Sequence, residues 1–218
     1  MISSPGLFIV FEGGEGTGKS TQAALLASHL DALLTNEPGA TPLGKELRRL
    51  CLDQSSSPTL RAEALMMIAD RAQHVESVIR PTLDAGRCVV SDRFSMSTFV
   101  YQGFAKGLSL EAIKGLNDFA CDGLTPDLTI LIDAPPEVTI PRRAHRATTD
   151  RMEALNEEFH ASVRQGFLTL AGESPHCLII DGSPSQEEVA ATILESLPTI
   201  LPQLPAYLMT HRLEVPEL

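Results

Sequence analysis

A phosphate-binding loop is predicted at Gly13–Ser20, where the residues GGEGTGKS fit the pattern GxxxxGK[ST]. Glycines let backbone N–H groups surround phosphate oxygens without a clash from a Cβ atom. The loop is followed by a helical pattern, and a helix N-terminus adds unpaired N–H donors and a favourable dipole. Lys19 can reach the β- and γ-phosphates, and the hydroxyl of Ser20 can ligate Mg²⁺. The segment therefore predicts a binding site for a nucleoside triphosphate.

Strands and helices alternate along the chain around this loop. Apolar runs rich in β-forming residues predict strands at residues 7–11, 32–35, 88–91, 128–133 and 177–181. Helical patterns occupy residues 19–30, 42–53, 60–85 with a bend near Pro81, 95–102, 109–121, 136–145, 153–171 and 185–197. The last of these opens with the capping-box pattern Ser185-x-x-Glu188. The alternation predicts an α/β fold with a parallel sheet of about five strands and helices on both faces.

Polar motifs follow four of the predicted strands. The phosphate loop follows the first, Glu37 the second, Asp92-Arg93 the third, and an arginine-rich segment the fourth. Ligands of open parallel sheets bind beyond the carboxyl ends of the strands, so these motifs are expected to meet at one site. The pattern assigns residues 1–198 to one domain and leaves residues 199–218 as a C-terminal extension with no assigned role.

Composition and charge exclude several classes of function. The chain has 218 residues and a formal net charge of −11, which disfavours binding to nucleic acids and anionic membranes. No apolar run approaches the roughly 18 residues of a membrane helix, and the first residues lack the pattern of a secretion signal. The four cysteines form no CxxC pair, which indicates free thiols in a reducing compartment. A cytoplasmic location is therefore expected.

Other classes of phosphate-loop protein fit the sequence less well than a small-molecule kinase. A guanine-specific GTPase needs an NKxD motif and a DxxG switch, and neither is present. An ATPase motor would have a longer chain and a strand ending in Asp-Glu, whereas Ala134-Pro135 follow Asp133. A short chain with additional arginine sites favours phosphoryl transfer to a small acceptor.

Several motifs together resemble the bacterial thymidylate kinase family. The segment FEGGEGTGKST at residues 11–21 is similar to the phosphate loop of that family. Further matches are Glu37-Pro38-Gly39, the helix segment IADRAQHV at 68–75, DRFSMSTFVYQG at 92–103, PDLT at 126–129 and DRME at 150–153. Their order and spacing hold from about residue 7 to residue 195. The resemblance implies a P-loop nucleoside monophosphate kinase fold, a homodimer, and the conversion of dTMP and ATP to dTDP and ADP with Mg²⁺ for dTTP synthesis.

The resemblance also implies residues that bind the two substrates. The residues expected to bind ATP are Gly13, Gly14, Gly16, Thr17, Gly18, Lys19, Ser20, Thr21 and Arg142, while Ser20 and Asp92 are expected at Mg²⁺. The residues expected to bind the acceptor are Glu15, Glu37, Arg48, Met67, Arg71, Arg93, Ser97, Thr98, Tyr101 and Gln102. Arg71 and Arg93 match the arginines that hold the 5′-monophosphate, since guanidinium forks suit a phosphate dianion. Glu15 matches a residue at the deoxyribose 3′-hydroxyl, Tyr101 one that favours deoxyribose, and Gln102 one that reads thymine.

A lid over ATP is expected at residues 142–153. Gly16 stands where eucaryotic relatives often carry an arginine, so the lid must supply the catalytic cation. Arg142, Arg146 and Arg151 match the arginines of the family's lid. Lys19, Arg93, Arg146, Arg151 and Glu15 are the expected catalytic residues.

Two departures from the family pattern affect the acceptor site. Asn36 stands where the family usually has an arginine before Glu-Pro-Gly, and Arg48 is a candidate replacement for that cation. Met67 stands where the family usually has a phenylalanine that stacks on thymine. Two alternatives therefore stay open at this point: a kinase for another monophosphate such as dUMP, and a nucleotide-binding regulator without activity.

Overall fold

Five parallel strands form the sheet at the centre of the computed structural model, which describes residues 6–144, 151–152 and 154–204. The strands are β1 (Phe8–Glu12), β2 (Leu33–Asn36), β3 (Val89–Asp92), β4 (Leu128–Asp133) and β5 (Cys177–Asp181). Their order across the sheet is β2-β3-β1-β4-β5, and every neighbouring pair is parallel. The predicted α/β class and strand number are therefore confirmed. Since β1 lies between β3 and β4, the loop that follows it opens at the centre of the sheet edge.

Helices cover both faces of this sheet. They are α1 (Lys19–His29), α2 (Pro42–Leu52), α3 (Leu60–His74), α4 (Arg80–Asp84), α5 (Ser95–Thr98), α6 (Leu110–Cys121), α7 (Pro136–Ala144), α8 (Glu157–Glu173) and α9 (Gln186–Ile200). Two π-helical segments, Val75–Ile79 and Phe99–Ala105, continue α3 and α5. No helix in the described ranges is long and apolar enough to cross a membrane.

Strand β1 is buried on both faces and anchors the core. Ile9 and Phe11 pack into a cluster with α1 and α9, whereas Phe8 and Val10 pack on the opposite face. Successive strand side chains point to opposite faces, so one short apolar run serves both layers. This packing fixes the position of the loop that begins at Gly13.

Several predicted helix boundaries need correction. Helix α8 begins at Glu157 rather than at residue 153, because the side chain of Asn156 accepts a hydrogen bond from the backbone N–H of Phe159 and caps the helix. The irregular turn in the long helix lies at Val75–Ile79, just before Pro81. The helix predicted at 95–102 is one α-helical turn followed by a π-helical segment.

The C-terminal boundary at residue 198 is also too early. The capping box at Ser185 and Glu188 is present as predicted, but α9 continues through Pro198 to Ile200. Leu201 and Leu204 are then buried in the same core cluster as β1 and α1. The packed domain therefore extends at least to Leu204.

Candidate active site

The phosphate loop leaves β1 in a conformation that requires glycine. Gly13 has a φ of 144°, and a Cβ there would lie 2.4 Å from the carbonyl oxygen of Ile132. Gly16 has a φ of 79°, and a Cβ there would lie 2.8 Å from the Thr139 carbonyl oxygen and 3.2 Å from Cγ of Arg143. A side chain at Gly16 would therefore clash with α7, which leaves no room for an arginine at this position.

Lys19 is held at the first turn of α1 with its charge facing the loop. Its Nζ lies 3.4 Å from the carbonyl oxygen of Gly14 and 3.8 Å from Oε2 of Glu15. The hydroxyl of Thr17 donates to the same carbonyl of Gly14 at 3.1 Å. Lys19 is 4% exposed, so its cation is placed in the loop rather than in bulk solvent.

A cavity of about 260 Å³ opens beside the loop and is called the acceptor cavity here. Its lining includes Ser20 and Lys19 of the loop and Asp92 of β3. It also includes all ten residues that the sequence predicted at the acceptor: Glu15, Glu37, Arg48, Met67, Arg71, Arg93, Ser97, Thr98, Tyr101 and Gln102. The fold thus brings together residues from five separate segments of the chain.

Arg93 connects the phosphate loop to the acceptor cavity. Its guanidinium forms an ion pair with Glu15 and donates to the Gly13 carbonyl at 3.1 Å and to the Ser97 hydroxyl at 3.0 Å. The hydroxyl of Tyr101 donates to Glu15 at 2.8 Å. Burial lowers the pKa of Arg93, but the negative charge of the nearby Glu15 carboxylate more than offsets this effect. The net pKa is raised above its usual value, so the guanidinium stays charged. Arg93 has a φ of 76°, which is rare for a residue with a side chain. Backbone strain of this kind is common at functional sites.

Glu12 positions this arginine, although the sequence reasoning assigned it no role. Its buried carboxylate accepts hydrogen bonds from the backbone N–H groups of Phe94 and Ser97, and from the Ser97 hydroxyl at 2.6 Å. Burial raises the pKa of Glu12, while these hydrogen bonds lower it in part. A carboxyl residue at the end of an otherwise apolar strand is the sequence signal that could have indicated this anchor.

The hydrogen bonds of Arg71 limit the phosphate contact that the sequence predicts for it. Arg71 is 2% exposed and donates four hydrogen bonds to Glu37, Asn117, Thr98 and the carbonyl of Phe94. A guanidinium has five N–H donors, so one remains for a ligand. A second hydrogen bond to phosphate would require Arg71 to give up one of these four buried partners, which is costly. Arg71 is therefore placed to give a single hydrogen bond within the cavity.

Asp70 is a buried carboxyl group at the floor of the acceptor cavity. Its Oδ1 accepts from the Gly39 N–H at 3.1 Å, and its Oδ2 is buried with no hydrogen-bond partner among the described residues. Burial raises the pKa of Asp70 to about 6, and the charge of Glu37 adds to the effect.

Replacing Asp70 with asparagine should stabilise the unliganded protein at neutral pH. A carboxyl group with a higher pKa in the folded than in the unfolded chain makes stability fall as the pH rises from about 4 through about 6. The advantage of Asp70→Asn in urea unfolding should therefore grow between pH 4.5 and pH 7.5 by on the order of 2 kcal/mol. Asp118→Asn, on the exposed side of α6, is the matched control. An advantage that does not change with pH would show that Asp70 carries no such penalty.

A second cavity lies on the other side of the phosphate loop. Its lining includes Gly16, Thr17, Gly18, Thr21 and Arg142, which the sequence predicted at ATP. Arg142 donates to the carbonyl oxygen of Gly182 at 2.8 Å, which holds α7 against the loop after β5. Gly14 lies in a third, smaller cavity, and Gly13 contacts Arg93 through its carbonyl.

Only some of the arginines in or near the predicted lid lie beside the phosphate loop. Arg143, which the sequence reasoning did not select, lies beside Gly16 and pairs with Glu157 at 2.8 Å, and its Nε is buried without a partner in the described part of the chain. Arg151 instead forms an ion pair with Glu63 and donates to the Cys51 carbonyl, at the far side of the acceptor cavity. The structure does not bring Arg151 to the phosphate loop as predicted, because Glu63 holds it elsewhere. Arg146 lies outside the described residues.

Comparison with known proteins decides the family. The sequence model of the family described as thymidylate kinase matches residues 11–193. The chain belongs to the thymidylate kinase family. The thymidylate kinase of Leifsonia xyli subsp. xyli is 47% identical over 196 residues, which cover 87% of this chain and 93% of that protein. The one from Carboxydothermus hydrogenoformans is 46% identical over 189 residues, covering 84% and 93%.

A solved structure supports the same assignment. The crystal structure of thymidylate kinase from Ehrlichia chaffeensis has a TM-score of 0.74 and 31% identity, and the match covers 89% of this chain and all of that one. The predicted P-loop nucleoside monophosphate kinase fold is therefore confirmed. The expectation of a thymidylate kinase activity, the phosphorylation of dTMP, is confirmed as well, and nothing in the comparisons favours another acceptor or an inactive regulator.

Proposed function

We propose that this enzyme transfers the γ-phosphoryl group of ATP to dTMP held in the acceptor cavity, and so supplies dTDP for DNA synthesis. The observation that carries the proposal is the position of the phosphate loop between two cavities. Lys19 and Glu15 line the acceptor cavity, whereas Gly16, Gly18 and Thr21 line the second cavity. A donor bound along the loop would present its terminal phosphate toward the acceptor, and in-line transfer needs little more than this alignment.

In the proposed complex the acceptor phosphate binds near Arg93. Its side chain is 15% exposed, in contrast to 2% for Arg71, and its partners Glu15 and Tyr101 also face the cavity. The phosphate of dTMP takes the place of the Glu15 carboxylate on the guanidinium. Glu15 is then available to accept a hydrogen bond from the 3′-hydroxyl of the deoxyribose. Arg48, exposed at the cavity rim and bonded to the Pro38 carbonyl at 2.9 Å, adds a second cation that partly compensates for Asn36.

Stabilisation of the transferring phosphoryl group is proposed to come from the loop and from α7. Lys19 donates to the β- and γ-phosphates from the first turn of α1. Arg142 and Arg143 approach the loop from α7, and the buried Nε of Arg143 supports a role for it as a lid cation. Arg146 and Arg151 remain proposed lid residues, with Arg151 required to leave Glu63 before it could reach the donor.

The residues present fit a magnesium ion at the phosphates. Oδ1 of Asp92 is buried without a hydrogen-bond partner in the described residues, and Asp92 lines the same cavity as Ser20. We propose that Ser20 holds Mg²⁺ directly and that Asp92 holds it through water, since Mg²⁺ keeps several waters and few protein ligands. When bound, the ion would neutralise charge on the phosphate oxygens.

Met67 is proposed to cover the thymine ring, and Met67→Phe should tighten dTMP binding. Met67 lines the acceptor cavity on α3 and is partly exposed to it. A phenylalanine would add ring stacking, which should lower the KM for dTMP about threefold with kcat unchanged. Leu65→Phe is the matched control, because Leu65 is exposed on the same helix and does not line the cavity. A KM for dTMP that is unchanged or higher in Met67→Phe would count against contact between Met67 and the base.

A homodimer and a cytoplasmic location complete the proposal. Leu116 and Phe119 of α6 are 40% and 85% exposed, and apolar side chains of this kind support a contact with a second copy. None of the four cysteines forms a disulfide in the described part of the chain, and three are buried, which suits a reducing compartment.

Release of ADP from ATP and Mg²⁺ with single acceptors tests the proposed function. dTMP should give a kcat/KM well above that of dCMP, GMP and AMP, and dUMP should fall between them. Equal turnover of all acceptors would remove the assignment of dTMP. ADP release that no acceptor stimulates would contradict the assignment of a kinase activity.

A further inference from the structure

A buried carboxylate stands behind the base-reading side of the acceptor cavity. Glu63 of α3 is 1% exposed. Its carboxylate accepts hydrogen bonds from Nε2 of Gln102 at 2.8 Å and Nζ of Lys106 at 2.7 Å, and it pairs with Arg151. None of the motifs discussed above includes Glu63.

The charges around Glu63 keep it ionised. Burial alone would raise the pKa of this carboxyl group, but the hydrogen bonds from Gln102, Lys106 and Arg151 lower it below its usual value. An ionised carboxylate can accept hydrogen bonds and cannot donate them. Glu63 therefore accepts from the NH₂ group of Gln102 and cannot pair with its carbonyl oxygen.

This restriction determines which way the amide of Gln102 faces. The NH₂ group and the carbonyl oxygen lie on opposite sides of a planar amide, so fixing the NH₂ group on Glu63 turns the oxygen away from it. Gln102 is 2% exposed and lines the acceptor cavity. We propose that Glu63 is a positioning residue for base selection: it holds Gln102 with the carbonyl oxygen toward the cavity, so that the site accepts a hydrogen bond from an N–H on the base.

The ring N3 position is the part of the base that such an acceptor distinguishes. Thymine and uracil carry a hydrogen on N3, whereas cytosine has a lone pair there that would face the Gln102 oxygen. Opposed acceptors are unfavourable when water is excluded, so the fixed amide discriminates against cytosine. The inference deepens the proposed function and rests on it.

The variant Glu63→Gln tests this inference because it keeps the shape and removes the fixed polarity. An amide at position 63 can accept from or donate to Gln102, so both orientations of Gln102 become available. The kcat/KM ratio of dTMP to dCMP should fall about tenfold, mainly through a lower KM for dCMP, with kcat little changed. The ratio of dTMP to dUMP should stay unchanged, because both bases carry the N3 hydrogen.

Lys106→Gln is the matched control. It removes another partner of Glu63 but leaves the carboxylate that orients Gln102, so both ratios should match those of the wild type. Glu63→Gln leaves Lys106 and Arg151 without a carboxylate, and the double variant Glu63→Gln, Lys106→Gln removes one of these charges if the single variant does not fold. The double variant should show the same loss of discrimination.

The outcomes separate the inference from the proposed function. An unchanged ratio of dTMP to dCMP in a folded Glu63→Gln or double variant would overturn the positioning role. Equal losses for dTMP, dUMP and dCMP would also overturn it, because they would indicate general damage to the cavity. A wild-type enzyme without preference for dTMP over dCMP would contradict the proposed function instead.

Discussion

Replacement of Lys19 with alanine is expected to lower kcat by about 10³-fold while the protein stays folded. Lys19 is the buried cation of the phosphate loop, 3.4 Å from the Gly14 carbonyl. The negative charge on the transferring phosphoryl group must be balanced inside the loop, where water cannot replace the ammonium group. Single-turnover kinetics with ATP and dTMP measure this step directly, and a thermal melt checks the fold.

Lys45→Ala is the matched control for this loss. Lys45 lies on the exposed side of α2 and should have no effect on kcat. If Lys19→Ala kept its kcat within about tenfold of the wild type, the ammonium group would not stabilise the transition state, and the assignment of the catalytic cation would have to move to α7.

Replacement of Arg93 with alanine is expected to damage the acceptor side far more than the donor side. The kcat/KM for dTMP should fall about 10³-fold, because the variant loses the cation proposed to bind the acceptor phosphate and removes the shorter of the two ion pairs of the Glu15 carboxylate. The KM for ATP should stay within about threefold of the wild type, since the proposed ATP site is formed by the loop and by α7. Initial rates with each substrate varied at saturating levels of the other separate the two effects.

The control for Arg93 is an arginine in an exposed ion pair. Arg49 pairs with Glu46 on α2 and is 61% exposed, so Arg49→Ala should leave both constants unchanged. An equal increase in the KM values for ATP and dTMP in Arg93→Ala would place Arg93 between the substrates as a shared contact and contradict its assignment to the acceptor.

The sequence predicted the fold and the meeting of the motifs well, for physical reasons. The buried strand Phe8–Glu12 and the glycine-rich loop after it allow few other arrangements, since a side chain at Gly13 or Gly16 would combine a rare positive φ with a clash against the Ile132 or Thr139 carbonyl. Parallel strands then bring Asp92 and Arg93 to the same sheet edge as the loop. The local pattern and the topology agree, which is why the residues predicted at the acceptor all line one cavity.

The sequence could not predict which charges pair with one another. Arg71 and Arg151 match binding residues by position, yet their guanidinium groups pair with Glu37 and Glu63, 34 and 88 residues away in the chain. Such partners are set by the packing of α3 against the rest of the site and leave no local pattern. The same holds for Glu12, whose role depends on the loop after β3.

Competition among acceptors tests the central claim most directly. The enzyme is given ATP labelled in the γ-phosphate, with Mg²⁺ and an equimolar mixture of dTMP, dUMP, dCMP, AMP and GMP, and the labelled nucleoside diphosphates are separated by chromatography. A site in which Arg93 holds the phosphate and Gln102 reads the base predicts that dTDP carries more label than all other diphosphates together. Label spread evenly over the diphosphates, or found only in inorganic phosphate, would contradict the assignment of dTMP as the acceptor.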